Sequence, residues 1–126
     1  VKLVVIESPY AGEVAKNVTY AKRCVLDCLR RGEAPYASHL FFTQDDLLDD
    51  TIYEERKLGI EAGLAWGRAA DIVAVYIDRD ISDGMRKGAK AAHERGTPIV
   101  FRSLLRDVSA SETETLLVGI IGGIRA

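Results

Sequence analysis

The stretch Asp71-Ile-Val-Ala-Val-Tyr-Ile-Asp78, followed by Arg79-Asp-Ile81 and then Ser82-Asp-Gly-Met-Arg-Lys-Gly88, decides the fold. Ile72 to Ile77 is a β-branched and aromatic run with no polar break, as expected of a strand buried on both faces. Ser82 is a good N-cap, and Met85, Ala89 and Ala92 then recur on one helical face until Gly96 stops the helix after Arg95. A buried strand feeding directly into a helix is half of a βαβ unit.

The same alternation extends in both directions. Lys2–Glu7 reads as a buried first strand that ends at Ser8-Pro9, too short for a secretory h-region. Val14, Val18, Ala21, Val25 and Cys28 form a helix stripe between Gly12 and Arg31, closed by Gly32. Pro35–Leu40 is expected to be a short second strand and Phe42–Asp50 an acidic loop. Thr51-Ile-Tyr-Glu54 fits a capping box opening a helix that runs to about Ala69. Pro98–Phe101 reads as a last strand. A second capping box, Ser109-Ala-Ser-Glu112, precedes a helix expected to bury Leu116, Leu117, Ile120, Ile121 and Ile124. The pattern predicts one α/β domain over residues 1–126, with a mostly parallel sheet of four to five strands and helices on both faces. Ligands of such sheets bind beyond the carboxyl ends of the strands, at the reversal in strand order. Glu7–Gly12, Ser38–Asp50 and Asp78–Arg86 occupy that edge.

Composition sets limits. The 126 residues are 48% hydrophobic and 29% charged, with a net charge of −2. No basic face points to duplex nucleic acid or an anionic membrane, and no apolar run approaches the ~20 residues of a membrane span. Cys24 and Cys28 lie one turn apart on the first helix, where they read as reduced packing residues of a cytoplasmic protein.

Three groups of residues are candidates for chemistry. In Ser8-Pro9-Tyr10-Ala11-Gly12, Gly12 permits close backbone approach, the helix start favours an anion, and Tyr10 is placed to stack on a base or bond a sugar, with Asn17 one turn further on. In Ser82-Asp83-Gly84-Met85-Arg86, Ser82, free helical N–H groups and Arg86 suit a phosphate. Gly84 suits either a close ligand or a tight turn. Ser38 and His39, with Gln44 nearby, form a rim. The acidic residues Asp45, Asp46, Asp49 and Asp50 match no standard metal loop, so neither metal nor cofactor is expected. Gly59, Gly63 and Gly67 line one helix face at a helical cost of roughly 2–3 kcal/mol relative to alanine. They predict close packing against another element, within the chain or across a homodimer.

Ser8-Pro9-Tyr10-Ala11-Gly12 with Asn17, Ala37-Ser38-His39-Leu40 with Gln44, Leu48-Asp49-Asp50, Glu55-Arg56-Lys57-Leu58-Gly59, Ala70-Asp71 and Ser82-Asp83-Gly84-Met85 together resemble an uncharacterised, often phage-encoded family. That family is similar to nucleoside 2-deoxyribosyltransferases and nucleotide N-glycosidases. The resemblance covers roughly residues 3 to 101. It implies a flavodoxin-like three-layer fold, self-association as a homodimer or larger, and a nucleotide or nucleoside ligand, met in the host cytoplasm if the gene is viral. In the enzymes a glutamate on the helix after the central strand attacks the anomeric carbon. Gly88 stands at the matching position here and cannot attack. Asp78, Asp80 and Asp83 lie near the same edge and Asp50 and Glu54 are within approach of it; Asp78, which ends the central strand, is the best substitute carboxylate among them. Two function classes follow: an N-glycosidase or deoxyribosyltransferase, and a non-catalytic protein that sequesters a nucleotide. A plain oligomeric scaffold is a third.

Overall fold

The computed structural model describes residues 1–122. In chain order the elements are β1 (Leu3–Glu7), α1 (Val14–Arg30), β2 (Ala34–Tyr36), α2 (Ser38–Phe41), α3 (Tyr53–Gly67), β3 (Ile72–Tyr76), α4 (Asp83–Glu94), β4 (Ile99–Arg102) and α5 (Ala110–Ile121). The four strands form one sheet in the order β2-β1-β3-β4, and every pairing is parallel. The expected α/β architecture is therefore present, with four strands.

Alternation along β1 and β3 sorts the core into two layers. Val4, Ile6, Ala74 and Tyr76 face α1 and meet Tyr20, Cys24 and Cys28. Val73, Val75 and Phe101 face the other way and meet Met85, Ala89 and Ala92 of α4 and Ile120 of α5. The buried face of α1 is Asn17, Tyr20, Ala21, Cys24 and Cys28, rotated from the expected valine stripe, and Val14 is 40% exposed. Hydropathy misses that rotation because Asn17 and Tyr20 are buried for their polar tips, which bond the loops above the sheet. Both cysteines are free and fully buried.

Four local expectations change. The second strand stops at Tyr36, and Ser38–Phe41 coils into a helical turn closed by Phe42 N–H donating to the Ser38 carbonyl at 2.9 Å. Pro35 is tolerated because β2 is an edge strand. The capping box at Thr51 does not form. The Thr51 N–H and hydroxyl both donate to Asp49 Oδ1, at 2.9 and 2.6 Å, so an Asx turn takes the residue and α3 starts at Tyr53. Ser109 does cap α5, but the Glu112 carboxylate turns to Arg106 at 2.7 and 2.8 Å instead of closing the box. Of the α5 residues expected in the core, Ile120 is buried and Leu116 and Leu117 pack beside it, whereas Ile121 is half-buried; Ile124 lies outside the described residues.

The glycine stripe of α3 is tightly packed, and its partners belong to this chain. A Cβ at Gly63 would lie 2.8 Å from Ser38 Oγ, one at Gly59 3.3 Å from Leu48 Cδ1, and one at Gly67 3.0 Å from an Arg95 guanidinium nitrogen. The stripe therefore seats α3 on α2, on the loop before it and on the end of α4. Among the described residues, no helix is long and apolar enough to cross a membrane.

Candidate functional site

Strand order reverses between β1 and β3, because the chain leaves β1 toward β2 on one side and leaves β3 toward β4 on the other. In sheets of this kind that reversal, between the β1–α1 and β3–α4 loops and above the carboxyl ends of the two strands, is the crevice where ligands bind.

One wall is the turn Ser8–Gly12, where Gly12 takes φ +94°, a left-handed conformation that favours glycine. Asn17 holds this turn. Its Nδ2 donates to the Tyr10 and Ala11 carbonyls at 3.0 and 3.1 Å, and its Oδ1 accepts from Arg79 Nε at 2.8 Å. Arg79 also reaches Glu13 at 3.0 Å, so it straps the two loops together. Asn17, expected as a ligand residue, is spent on shaping the turn.

Ser8 is buried, and its Oγ lies 2.8 Å from His39 Nε2. Burial pulls the His39 imidazole down to about 4, so it is neutral at ordinary pH. The Tyr10 ring meets it edge-on, with centroids 6.1 Å apart. His39 also lines a small cleft between α2 and α3, together with Phe42, Thr43, Asp50 and Arg56. Ser38 lines the same cleft and packs on Gly63.

The other wall is the start of α4. Ser82 caps it, accepting the Met85 N–H at 3.3 Å, while Met85 Sδ accepts the Ser82 N–H at 3.3 Å. Met85 is therefore a core and capping residue, 1% exposed, and not a ligand contact. The N–H groups of Asp83 and Gly84 have no acceptor among the described residues, and Arg86 is exposed beside them. A Cβ on Gly84 would meet nothing closer than Ser82 Oγ at 3.9 Å, so the first turn is open above it. That combination accepts an anion.

Asp78 is tied down on every side. Its carboxylate accepts from the Ser103 hydroxyl, from Tyr20 OH at 2.6 Å and from the Leu104 N–H at 2.9 Å. Burial pushes its carboxyl up, but these bonds more than offset that and hold it below the usual range. The geometry makes Asp78 a brace between β3, α1 and the loop after β4, with both of its oxygens engaged in hydrogen bonds.

A different carboxyl stands in the crevice. Glu7 ends β1 with its side chain toward α4, where a Cβ at Gly88 would lie 2.5 Å from Glu7 Cδ, 2.9 Å from Oε1 and closer still to Oε2. Burial raises the Glu7 carboxyl to about 8, against the downward pull of the Arg95 guanidinium. A carboxyl in that state keeps its proton at neutral pH and is able to donate it. Glu7 and Arg79 were not singled out from the sequence. The available signal for Glu7 was a glutamate in the inward register of a central strand, opposite a helical glycine. Among the described residues, no three His, Cys, Asp or Glu side chains converge as a metal centre needs.

The fold is shared with solved structures. A 2-deoxyribosyltransferase from Bacillus psychrosaccharolyticus superimposes with a TM-score of 0.60 at 19% identity, over 89% of this chain and 80% of that one. A conserved protein from Enterococcus faecalis V583 gives a TM-score of 0.61 at 15% identity, over 95% and 86%. Identities this low carry the fold alone. No curated protein matches the sequence. Residues 2–102 match the model of a domain of unknown function, DUF7768, and the chain belongs to that family.

Proposed function

We propose that the crevice between β1 and β3 binds a nucleoside or nucleoside 5′-monophosphate and that the protein breaks its N-glycosidic bond, as a nucleotide N-glycosidase or deoxyribosyltransferase does. The observation that carries this reading is the start of α4. Its first turn presents free N–H groups at Asp83 and Gly84, an open face at Gly84 and the Arg86 side chain, at the same sheet edge as the Ser8–Gly12 turn. Such a wall suits a phosphate, while Tyr10 and His39 offer ring surfaces to the sugar and base. The likeness of fold to a 2-deoxyribosyltransferase supports the same ligand class. No cofactor is required by such chemistry, which needs a proton donor and a nucleophile.

A second reading, a protein that sequesters the nucleotide without cleaving it, is favoured by the missing side chain at Gly88. Incubation with the four 2′-deoxynucleoside 5′-monophosphates and their nucleosides separates the two. Chromatography reads free base and calorimetry reads binding. Binding with release of base supports the enzyme. Binding with the ligand recovered intact supports sequestration, and no binding to any member rejects both.

A further inference from the structure

Gly88 lies in the middle of α4, at φ and ψ that any residue adopts, where glycine costs up to about 1 kcal/mol relative to alanine. The space its side chain would fill is taken by the carboxyl of Glu7, which arrives from the neighbouring strand. That carboxyl is held by no ion pair or hydrogen bond among the described residues, and the charged group acting on it is the Arg95 guanidinium from the far end of α4. The residue nevertheless keeps partial access to solvent. An unpartnered carboxyl at the carboxyl end of a central strand, at the strand-order reversal, has no structural task to explain it, unlike Asp78.

We propose that Glu7 is the catalytic carboxyl of this crevice, delivered from β1 into the space that Gly88 leaves open. This rests on the nucleotide reading above. Glu7 acts as the proton donor. Its O–H proton passes to a ring nitrogen of the base as the bond from that base to C1′ breaks, and the bonding electron pair leaves with the base. Water from solvent adds its oxygen to C1′ and returns a proton to the Glu7 carboxylate. The balance is nucleotide plus water giving free base plus sugar phosphate, with Glu7 regenerated. The raised affinity of Glu7 for its proton suits it to donation better than to attack. The bare Gly88 and the Glu7 carboxyl thus form one device: the space left open on the helix is filled by a carboxyl from the strand.

Three proteins test this: wild type, Glu7→Gln, and the exchange variant Glu7→Gly with Gly88→Glu. Substrate affinity, base release and thermal melting are followed for each. Wild-type release is expected to fall as pH rises through about 8. Glu7→Gln is expected to bind substrate with unchanged affinity and to release base at least about 100-fold more slowly. The exchange variant is expected to regain part of that loss. A folded Glu7→Gln protein with turnover within about threefold of wild type overturns the proposal. So does a wild type that binds nucleotide and returns it intact, which leaves the sequestration reading standing. A wild type that binds no nucleotide removes the underlying reading and the proposal with it. Should Glu7→Gln fail to fold, Gly88→Ala displaces the carboxyl while keeping it, and unaltered turnover in that variant overturns the proposal.

Discussion

Replacing Gly88 by alanine probes the contact on which the site depends. A new Cβ would stand 2.5 Å from Glu7 Cδ, nearly an ångström inside ordinary contact, so the Glu7 carboxyl must move. Two effects compete. Alanine in mid-helix gains up to about 1 kcal/mol over glycine. Overpacking a filled site costs about 1–3 kcal/mol, at the lower end here because a glutamate tip can turn aside. The net change in the wild-type background is therefore expected to lie between about zero and about 2 kcal/mol of destabilisation. In a Glu7→Ala background the obstruction is gone, and the same substitution is expected to stabilise by up to about 1 kcal/mol. The difference between the two backgrounds is the informative quantity, a coupling of about 1–3 kcal/mol. Urea denaturation of the four proteins measures it, and thermal melting would show it as about 3–5 °C per kcal/mol for a domain of this size. Additivity within about 0.3 kcal/mol would mean that residues 7 and 88 do not meet, and the reasoning would fail.

Glu7 also leaves a signature in the pH dependence of stability. Its folded affinity for the proton, about 8, lies above its ordinary 4.5, so the folded state holds the extra proton and stability is lost as pH rises from 4.5 through 8. Glu7→Gln should therefore grow more stable relative to wild type across that window, by as much as a few kcal/mol, and level off above it; a flat difference contradicts the burial. His39 works in the opposite sense. Its value falls from 6.5 to about 4, so stability is lost as pH drops between them, and His39→Gln should flatten only the acid side of the melting profile. Asp78→Asn should destabilise by about 2–3 kcal/mol at neutral pH, because it breaks charge-assisted bonds to Ser103, Tyr20 and Leu104. That deficit should narrow in acid, since the folded Asp78 value lies below its ordinary 3.8; unchanged melting would show that the brace is dispensable. Finally, Leu58 and Trp66 of α3 are each more than half exposed, apolar side chains that self-association would cover. Sedimentation is expected to show a dimer or larger species that Leu58→Glu with Trp66→Glu dissociates, and a wild-type monomer at all concentrations would refute it.

The sheet was legible in the sequence because Val4, Ile6, Val73 and Val75 are β-branched, buried and punctuated by Pro9, Gly32 and Gly96, so periodicity and turn chemistry agreed. The start of α4 was legible for the same reason: Ser82 caps it as its position promised. What escaped was side-chain competition across elements. Thr51 looked like a cap until Asp49, two residues earlier, took its hydroxyl. Asn17 looked like a ligand contact, yet three backbone and side-chain partners claim it. Asp78 looked like a free carboxylate at a strand end, and only the fold brings Tyr20 and Ser103 to it from positions 58 and 25 residues away. Gly88 read as a loss of function when taken alone. Its meaning lies in Glu7, 81 residues earlier in the chain, and the parallel β1–β3 pairing with α4 across it is what joins the two.

The most direct measurement is a crystal structure of the Glu7→Gln protein with a 2′-deoxynucleoside 5′-monophosphate, the substitution keeping the ligand intact. The phosphate is expected on the N–H groups of Asp83 and Gly84, the base within hydrogen-bond reach of the residue 7 amide, and the sugar between Tyr10 and Gly84. A nucleotide bound elsewhere, or seated in the crevice with its base turned away from residue 7, would contradict the proposal.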